Sequence, residues 1–366
     1  MKIMFVIHSL NNVGGAESIL VNFANYFSSV MKNNIAIVLL SDMEITFKLE
    51  TDIKVYRFNK QVANKKFLIW NQITHIRHAI QSFNPDILIG FVASTNILTA
   101  FSGWMEDVPV ILSEHTSYKR SLTTSRGQIS GLIWRALRRV TYPLADKVFI
   151  LTEEDKKYFY YLKDVEVIPN PLIISNKHLV SSKRENIILA VGRLHNIKGF
   201  DMLIKAFSLI ANNRWKLYIA GEGEEREKLE KMVKELHLTE KVVFLGFVED
   251  MEYFYRKASI YVLSSRSEGF PGGLCEAMGY GCSVISFDCP TGPKEIIEDG
   301  KNGILVAPEN IEELSKEIET LMQNETKRLL IASNGRKIVD SLDIDIISKR
   351  WIKSINNIKV KKCTKK

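Results

Sequence analysis

The feature that most constrains the fold of this chain is the alternation of short apolar runs with helical patterns along almost its whole length. The runs are apolar throughout rather than at every second position, which is typical of parallel strands covered on both faces. Between two of them, the stretch from 16 to 27 places Phe23 and Phe27 on one stripe of a helix. The sequence therefore predicts an α/β fold of doubly wound, parallel sheets.

The predicted strands form two groups separated by a proline-containing segment. Seven are expected before it: Lys2–Ile7, Ile35–Leu40, Ile53–Phe58, Ile87–Phe91, Val108–Leu112, Lys147–Leu151 and Val165–Ile168. Five are expected after it: Ile187–Val191, Lys216–Ala220, Val242–Leu245, Ile260–Leu263 and Ser283–Phe287. The segment 168–177 is the predicted linker, because proline fixes φ and removes a backbone donor that a continuing element needs.

A chain of 366 residues is also too long for one core of ordinary size. We therefore expect one domain at 1–170, a second at 171–345, and a last helix with a basic tail at 346–366 that returns toward the first domain. Ligands of such sheets bind at the carboxyl ends of the strands. With two domains facing each other, the cleft between them is the expected site.

Hydropathy and cysteine spacing argue against several classes of protein. No segment approaches the roughly 18 apolar residues of a spanning helix, and the short start M-K-I-M-F-V-I-H is predicted to be a strand rather than a signal peptide. The four cysteines contain no C-x-x-C pair, so free thiols are expected rather than a zinc site. The net charge of +8 arises in the tail from Lys349 to Lys366, and neither this tail nor the basic stretch 119–147 has the interleaved aromatics of a nucleic-acid site.

Two glycines follow the first predicted strand, in H-S-L-N-N-V-G-G-A-E. Gly14 and Gly15 lie where a loop turns into a helix, so backbone N–H groups could face an anion there, although a plain tight turn explains them equally well. The G-x-G-x-x-G pattern of dinucleotide folds is absent, which weakens the case for an oxidoreductase.

Two cations open the second domain, in L-A-V-G-R-L-H-N-I-K-G-F. Arg193 follows the strand by one glycine, and Lys198 precedes Gly199 and a helix. A diphosphate fits two cations beside a helix start. Taken alone, such a pair would more often be two solvated loop charges.

Two carboxylates bracket a glycine-rich turn in S-R-S-E-G-F-P-G-G-L-C-E. Glu268 follows the strand ending at 263, and Glu276 lies about one turn into a helix that begins near Gly272. Carboxylates accept paired hydroxyl donors well, as on a ribose or a hexose. Glu268 and Glu276 are therefore expected to hold two different sugars on either side of a diphosphate.

Taken together, these motifs resemble those of the retaining GT-B glycosyltransferases of family four. The resemblance rests on the E-x7-E of Glu268 and Glu276, the early Gly-Gly, S-E-H at 113–115, G-R-L…K-G, G-E-G at 221–223, L-G-F-V at 245–248 and G-x-N-G at 300–303. It covers nearly the whole chain, and the motifs occur in the family's order. It implies two Rossmann-like domains facing across a cleft, the first binding the acceptor and the second binding a nucleotide sugar.

The resemblance also implies roles for individual residues. Arg193 and Lys198 would bind the donor diphosphate, Glu276 the ribose, and Glu268 hydroxyls of the transferred sugar. His115 would lie near the same sugar from the first domain, although a lone histidine is more often structural. Gly14, Gly15 and Val248 of the L-G-F-V motif would also contribute to donor binding. No D-x-D accompanies these site motifs, so neither a metal nor another cofactor is expected.

The expected reaction is a retaining transfer from a UDP-sugar to an acceptor hydroxyl, in which the leaving diphosphate helps to take the proton. The turn F-D-C-P-T-G-P-K-E-I-I resembles that of bacterial polysaccharide galactosyl- and N-acetylgalactosaminyltransferases, with glucose or N-acetylglucosamine next in preference. The alternatives are a glycosyltransferase-like phosphorylase, which a phosphate-dependence assay would separate, and a non-catalytic protein that binds sugar nucleotides.

A basic helix in the first domain suggests where the enzyme works. Between 128 and 142 an apolar stripe follows helical spacing, and we expect it to pack on the domain core. Arg135, Arg138 and Arg139 lie off that stripe and would contact an anionic membrane surface. The resemblance implies an acceptor on a lipid diphosphate. We therefore expect a peripheral enzyme on the cytoplasmic face of the cell membrane, with the tail from Lys349 as a second, weaker contact.

Overall fold

In the computed structural model, residues 1–11, 15–59, 67–115, 118, 128–174, 184–211 and 214–363 are described, with the backbone alone for 128–132 and 359–363. The chain divides into two compact units. Unit 1 comprises Met1–Pro171 and Ile344–Lys366, and unit 2 comprises Leu172–Asp343. The division falls inside the segment 168–177, of which 175–177 lie outside the described residues.

Each unit is built on one parallel sheet. Within the described residues, the strands of unit 1 are β1 (Lys2–Ile7), β2 (Asn34–Leu39), β3 (Lys54–Arg57), β4 (Ile87–Phe91), β5 (Val110–Ser113), β6 (Lys147–Ile150) and β7 (Val165–Val167). Those of unit 2 are β8 (Glu185–Val191), β9 (Lys216–Ala220), β10 (Val242–Gly246), β11 (Ala258–Leu263), β12 (Ser283–Phe287) and β13 (Ile304–Val306).

The order of the strands shows that both sheets are doubly wound. In unit 1 the order is β3-β2-β1-β4-β5-β6-β7, and in unit 2 it is β10-β9-β8-β11-β12-β13. The winding therefore reverses between β1 and β4 in unit 1 and between β8 and β11 in unit 2. Reversal points of this kind are where the carboxyl ends of parallel strands leave room for ligands.

Helices cover the faces of both sheets. In chain order they are α1 (Gly15–Ser29), α2 (Leu68–Phe83), α3 (Ala93–Met105), α4 (Gln128–Thr141), α5 (Glu153–Lys156), α6 (Phe200–Ser208), α7 (Arg226–Glu235), α8 (Met251–Lys257), α9 (Gly272–Gly279), α10 (Pro293–Ile296), α11 (Ile311–Gln323), α12 (Glu325–Gly335), α13 (Val339–Leu342) and α14 (Ile344–Cys363). In the described ranges, no helix is long and apolar enough to cross a membrane.

A buried tryptophan helps to hold the last helix, α14, in unit 1. Trp351 is 2% exposed, and its ring centroid lies 4.5 Å from that of Phe23 in α1 and 4.8 Å from that of Phe149 in β6. Near the start of α14, Tyr26 donates a hydrogen bond of 2.6 Å to Asp345. The aromatic cluster fixes α14 against the face of the sheet that α1 covers.

The prediction of doubly wound α/β sheets is confirmed. Each of the twelve predicted strands overlaps an observed one, and the ends differ by at most two residues. The structure adds β13, which the sequence analysis missed because three residues are too few to form a recognisable pattern.

Replacement of Trp351 tests the attachment of α14. Trp351→Ala should lower the free energy of unfolding by about 3–5 kcal/mol, because it leaves a cavity between α1 and the sheet. Urea denaturation followed by circular dichroism measures the change. The control is Asn357→Ala, at an exposed position of the same helix, which should change stability by less than about 0.5 kcal/mol. Equal losses of unfolding free energy in both variants would contradict the role of Trp351 in attaching α14 to unit 1.

Candidate active site

The candidate site in unit 2 lies where the winding of its sheet reverses. β8 and β11 are paired neighbours, so the loops that follow them leave the same edge of the sheet. The loop after β8 carries Arg193 and Lys198, and the loop after β11 carries Glu268. The topology therefore brings together residues that are far apart in sequence.

Lys198 and Glu268 form an ion pair at this edge. Nζ of Lys198 lies 2.7 Å from Oε1 of Glu268, and Ser265 donates a hydrogen bond of 2.5 Å to the same oxygen. Glu268 is only 4% exposed, so the ammonium and the hydroxyl compensate for the solvation that the carboxylate has lost. The cation expected at the diphosphate and the acid expected at the sugar are thus in direct contact.

Contacts between the two loops set this geometry. The guanidinium of Arg266 pairs with both carboxylate oxygens of Asp201 in the first turn of α6, at 2.9 and 2.8 Å. Gly199 has a φ of +64°, and a Cβ there would lie 2.0 Å from the carbonyl oxygen of Ser264. Only glycine allows this close approach without strain. The sequence analysis did not identify Arg266 or Asp201.

Arg193, on the same loop after β8 as Lys198, is exposed rather than buried against Glu268. Its side chain is 72% exposed, and its guanidinium lies 3.8 Å from a carboxylate oxygen of Glu224. Beneath it, a Cβ on Gly221 would lie 2.0 Å from the carbonyl oxygen of Gly192. The glycines of the G-E-G motif therefore let the loop after β9 pack against the loop that carries Arg193. They act through backbone packing.

Glu276 lies in the first turns of α9, as expected. The hydroxyl of Tyr255 donates a hydrogen bond of 2.9 Å to its carboxylate. Burial raises the pKa of Glu276, and the hydrogen bond from Tyr255 opposes that shift. A partly buried carboxylate with one fixed donor is suited to accepting further hydrogen bonds from sugar hydroxyls.

The turn after β12 contributes one more contact. The hydroxyl of Thr291, in the turn D-C-P-T-G-P, donates a hydrogen bond to the backbone carbonyl of Glu268, so this turn helps to fix the loop that carries Glu268. Val248 follows β10 and is partly buried. In unit 1, Gly15 begins α1. Gly14 lies outside the described residues.

His115 follows β5 in unit 1. Its ring stacks on Phe91 with centroids 4.5 Å apart, and its Nε2 lies 2.9 Å from the hydroxyl of Ser113. Burial lowers the pKa of His115 to about 3, although a hydrogen bond to the side chain of Asn170 opposes the shift. The imidazole is therefore neutral near pH 7 and suits hydrogen bonding rather than charge stabilisation.

The residue before His115 is the centre of a buried polar cluster. Glu114 is 3% exposed and accepts hydrogen bonds from Tyr142 and from Asn96. Arg138 of α4 lies 3.5 Å from its second oxygen. Burial alone would lower the pKa of Arg138, but attraction to Glu114, together with the nearby hydroxyls of Tyr142, Tyr161 and Tyr118, raises it overall. The cluster ties α4 to the strand end that carries His115.

Two expectations for α4 are therefore wrong. Arg138 is 4% exposed and cannot contact a membrane, because it is the inward cation that Glu114 requires. The apolar stripe does not pack on the domain core either, since Ile133, Leu137 and Val140 are 55%, 41% and 71% exposed. Arg135 and Arg139 do lie on the surface. The side chains of 128–132 and the basic residues 119, 120 and 126 lie outside what the structure describes.

Three of the four cysteines have described side chains, and none of the three forms a disulfide. Cys275, Cys282 and Cys289 are buried and free, and burial raises the pKa of Cys289 to about 12. No group of three or more histidine, cysteine or acidic side chains suited to a metal occurs among the described residues.

Comparison with known proteins decides the family. The family described as Glycosyltransferase Family 4 matches residues 13–175, and that described as Glycosyl transferases group 1 matches residues 174–338. A Campylobacter jejuni relative is 32% identical over an alignment of 370 positions, which covers 98% of this chain and 99% of the relative. It is named GalNAc-α-(1→4)-GalNAc-α-(1→3)-diNAcBac-PP-undecaprenol α-1,4-N-acetyl-D-galactosaminyltransferase. This chain belongs to the family-four glycosyltransferases.

Two further matches agree with that assignment. A second Campylobacter jejuni protein, named N-acetylgalactosamine-N,N'-diacetylbacillosaminyl-diphospho-undecaprenol 4-α-N-acetylgalactosaminyltransferase, is 25% identical over 93% of this chain and 96% of its own. HepE from Anabaena, crystallised with UDP, superposes with a TM-score of 0.81 at 19% identity, covering 98% of this chain and all of HepE. This chain therefore has the GT-B fold of a family-four glycosyltransferase.

The Glu114–Arg138 pair gives a stability prediction. Arg138→Ala should lower the free energy of unfolding by about 3–5 kcal/mol, because it leaves Glu114 buried without its cation. Arg138→Met combined with Glu114→Gln should recover much of that loss, because no buried charge remains. Urea denaturation measures both. The control is Arg135→Ala on the exposed side of the same helix; a loss there equal to that of Arg138→Ala would contradict the reading.

Proposed function

We propose that this glycosyltransferase moves a hexose or an N-acetylhexosamine from a UDP-sugar to a saccharide on a lipid diphosphate, in the assembly of a surface polysaccharide. N-acetylgalactosamine or galactose is the favoured sugar, followed by glucose or N-acetylglucosamine. The observation that carries the proposal is the contact of Lys198 with Glu268 where the winding of unit 2 reverses. The names of the two Campylobacter relatives support the sugar and the type of acceptor.

In this proposal unit 2 binds the donor. Arg193 and Lys198 neutralise the diphosphate, and Glu276 accepts hydrogen bonds from the ribose. Glu268, fixed by Lys198 and Ser265, holds hydroxyls of the sugar that is transferred. Because Lys198 contacts Glu268 directly, one side chain couples the position of the sugar to that of the leaving group.

The proposed reaction retains the configuration at the anomeric carbon. The bond between that carbon and the diphosphate oxygen breaks, and the acceptor oxygen bonds to the same face. The acceptor proton passes to the departing diphosphate, which leaves as UDP. The cations next to the diphosphate stabilise the developing charge, an effect worth several kcal/mol for a well-placed group, so the proposal needs no metal ion. His115, neutral at pH 7, would donate or accept a hydrogen bond at the sugar.

The acceptor is proposed to bind unit 1 at the cytoplasmic face of the membrane. On α4, Arg135 and Arg139 are exposed beside exposed apolar residues, and an anionic surface attracts each such base by about 1 kcal/mol. The basic segment from Lys349 onward is a weaker candidate for a contact with the membrane. Lys349 already pairs with Asp345 at 2.5 Å, and Arg350 donates a hydrogen bond to the carbonyl of Val167.

The donor and the outcome of the reaction can be tested directly. Purified enzyme is incubated with UDP-GalNAc, UDP-Gal, UDP-Glc or UDP-GlcNAc and a prenyl-diphosphate-linked saccharide, and the product is analysed by NMR. We expect transfer from a UDP-sugar, an α-linkage, and activity that survives EDTA. An inverted β-linkage, or loss of activity in EDTA that Mg²⁺ restores, would overturn the mechanism. Turnover that requires inorganic phosphate would favour the phosphorylase.

Mutation of the cations tests the diphosphate assignment. Arg193→Ala and Lys198→Ala should each lower kcat/KM by at least about tenfold, because each removes a charge-assisted contact worth about 1.5–3 kcal/mol. Lys205→Ala, at an exposed position of α6, is the control. Calorimetry with UDP should show weaker binding in the first two variants. Turnover near that of the native enzyme in both would refute the assignment.

A further inference from the structure

Helices α2, α3 and α4 form one layer of unit 1. Within this layer α3 lies between the other two and packs against both. Buried residues of α2 and α3, such as Ile76 and Ala100, share a core with the strands beneath. The outer side of the layer is therefore one continuous surface made from three neighbouring helices.

That surface exposes large aromatic side chains. At the start of α2, Phe67 and Ile69 are each 60% exposed and Trp70 is 55% exposed, and Trp104 near the end of α3 is 59% exposed. The ring of Phe101 links the two helices, with centroids 6.3 Å from Trp70 and 5.8 Å from Trp104. Trp70, Phe101 and Trp104 therefore form a contiguous group, and together with Phe67 and Ile69, which are close to Trp70 in sequence, they are here called the aromatic face. Contiguous exposed apolar patches usually mark an interaction site.

The tryptophans of the chain are divided in a way that singles out this layer. Trp70, Trp104 and Trp134 lie on α2, α3 and α4, and the last is 38% exposed. The other two tryptophans, Trp215 and Trp351, are 4% and 2% exposed. Every exposed tryptophan of the five in the sequence therefore lies on the α2–α3–α4 layer. Tryptophan favours the boundary between hydrocarbon and water, because its ring is apolar and its N–H is polar.

The three helices themselves carry bases and no acids, although Glu106 and Asp107 directly follow α3 and Glu106 pairs with Arg77 of α2. None of α2, α3 and α4 contains an aspartate or a glutamate, whereas α11 on unit 2 contains four glutamates among its thirteen residues. On α4, Arg135 and Arg139 are exposed. Arg139 is held by Tyr160, whose hydroxyl lies 3.1 Å from it. An apolar and aromatic surface edged by bases and free of acids on its helices is complementary to anionic lipid headgroups.

We propose that α2, α3 and α4 form a membrane-docking surface in which the aromatic face inserts into the headgroup region of an anionic bilayer. The inference rests on the proposed lipid-linked acceptor and extends it, since the contact is made by tryptophans of α2 and α3 as well as by the arginines of α4. A second copy of the chain fits less well. In a two-fold dimer through this surface, Arg135 and Arg139 would face bases with no acid on the same helices.

Insertion and electrostatic attraction differ in their response to salt. Attraction by arginines alone falls steeply as salt rises, because exposed charges are screened. Burial of aromatic area does not depend on salt in this way. An enzyme docked by the aromatic face should therefore keep part of its vesicle binding in 0.5 M NaCl, whereas one held only by arginines should not.

Intrinsic fluorescence tests the proposal without a label, because the buried Trp215 and Trp351 cannot reach the lipid. Vesicles of phosphatidylglycerol and phosphatidylethanolamine should shift tryptophan emission to shorter wavelength, and brominated lipids should quench it. Trp70→Ala with Trp104→Ala should weaken vesicle binding by at least about tenfold in co-sedimentation. The control is Leu329→Ala with Leu330→Ala, which are 56% and 60% exposed on α12, and it should bind as the native enzyme does.

Two outcomes would overturn the proposal. Emission that vesicles leave unchanged would mean that the aromatic face stays in water. A blue shift that depends on protein concentration without vesicles would identify a second copy as the occupant. Hydrolysis of the UDP-sugar in solution should be the same in the double tryptophan variant, because both residues belong to unit 1 and the proposed donor site belongs to unit 2. If no nucleotide sugar is used while the vesicle effects appear, the proposed reaction fails and the docking surface stands.

Discussion

The pairing of β8 with β11 is the interaction on which the candidate site depends. The winding of the sheet reverses between these two strands, so the loops after them leave the sheet side by side with no crossover helix between them. The Arg266–Asp201 pair and the contact of Gly199 with Ser264 then hold the loops in register. The ion pair of Lys198 with Glu268 follows from that arrangement, and any change that separated the strands would remove it.

The fold could be predicted from the sequence because a parallel strand buried on both faces must be apolar at every position. β1 and β4 are buried along almost their entire length, and such runs remain recognisable without an alignment. The same reasoning fails for β13, whose three residues give no period to detect. It fails for the ends of strands as well, because pairing with a neighbour, rather than composition, decides where a strand stops.

The site could be predicted only in part. Lys198 and Glu268 lie in the loops after β8 and β11, and Glu276 follows a glycine turn, so their place at the edge of the sheet could be inferred from order along the chain. Arg266 and Thr291 could not be inferred, because ordinary polar residues in loops acquire a role only through the conformation of those loops. Whether Arg266 pairs with Asp201 depends on the path of the backbone through two turns.

The orientation of α4 shows why periodicity alone misleads. A period of 3.6 residues identifies an apolar stripe, but it does not say which side of the helix faces the sheet. Here Glu114 is buried beneath the helix, and a carboxylate without a counter-charge would cost several kcal/mol. Arg138 supplies that charge only if its side of the helix faces inward, and this rotation turns Ile133 and Leu137 outward. One buried ion pair therefore both secures the strand end that carries His115 and leaves α4 with an apolar outer side.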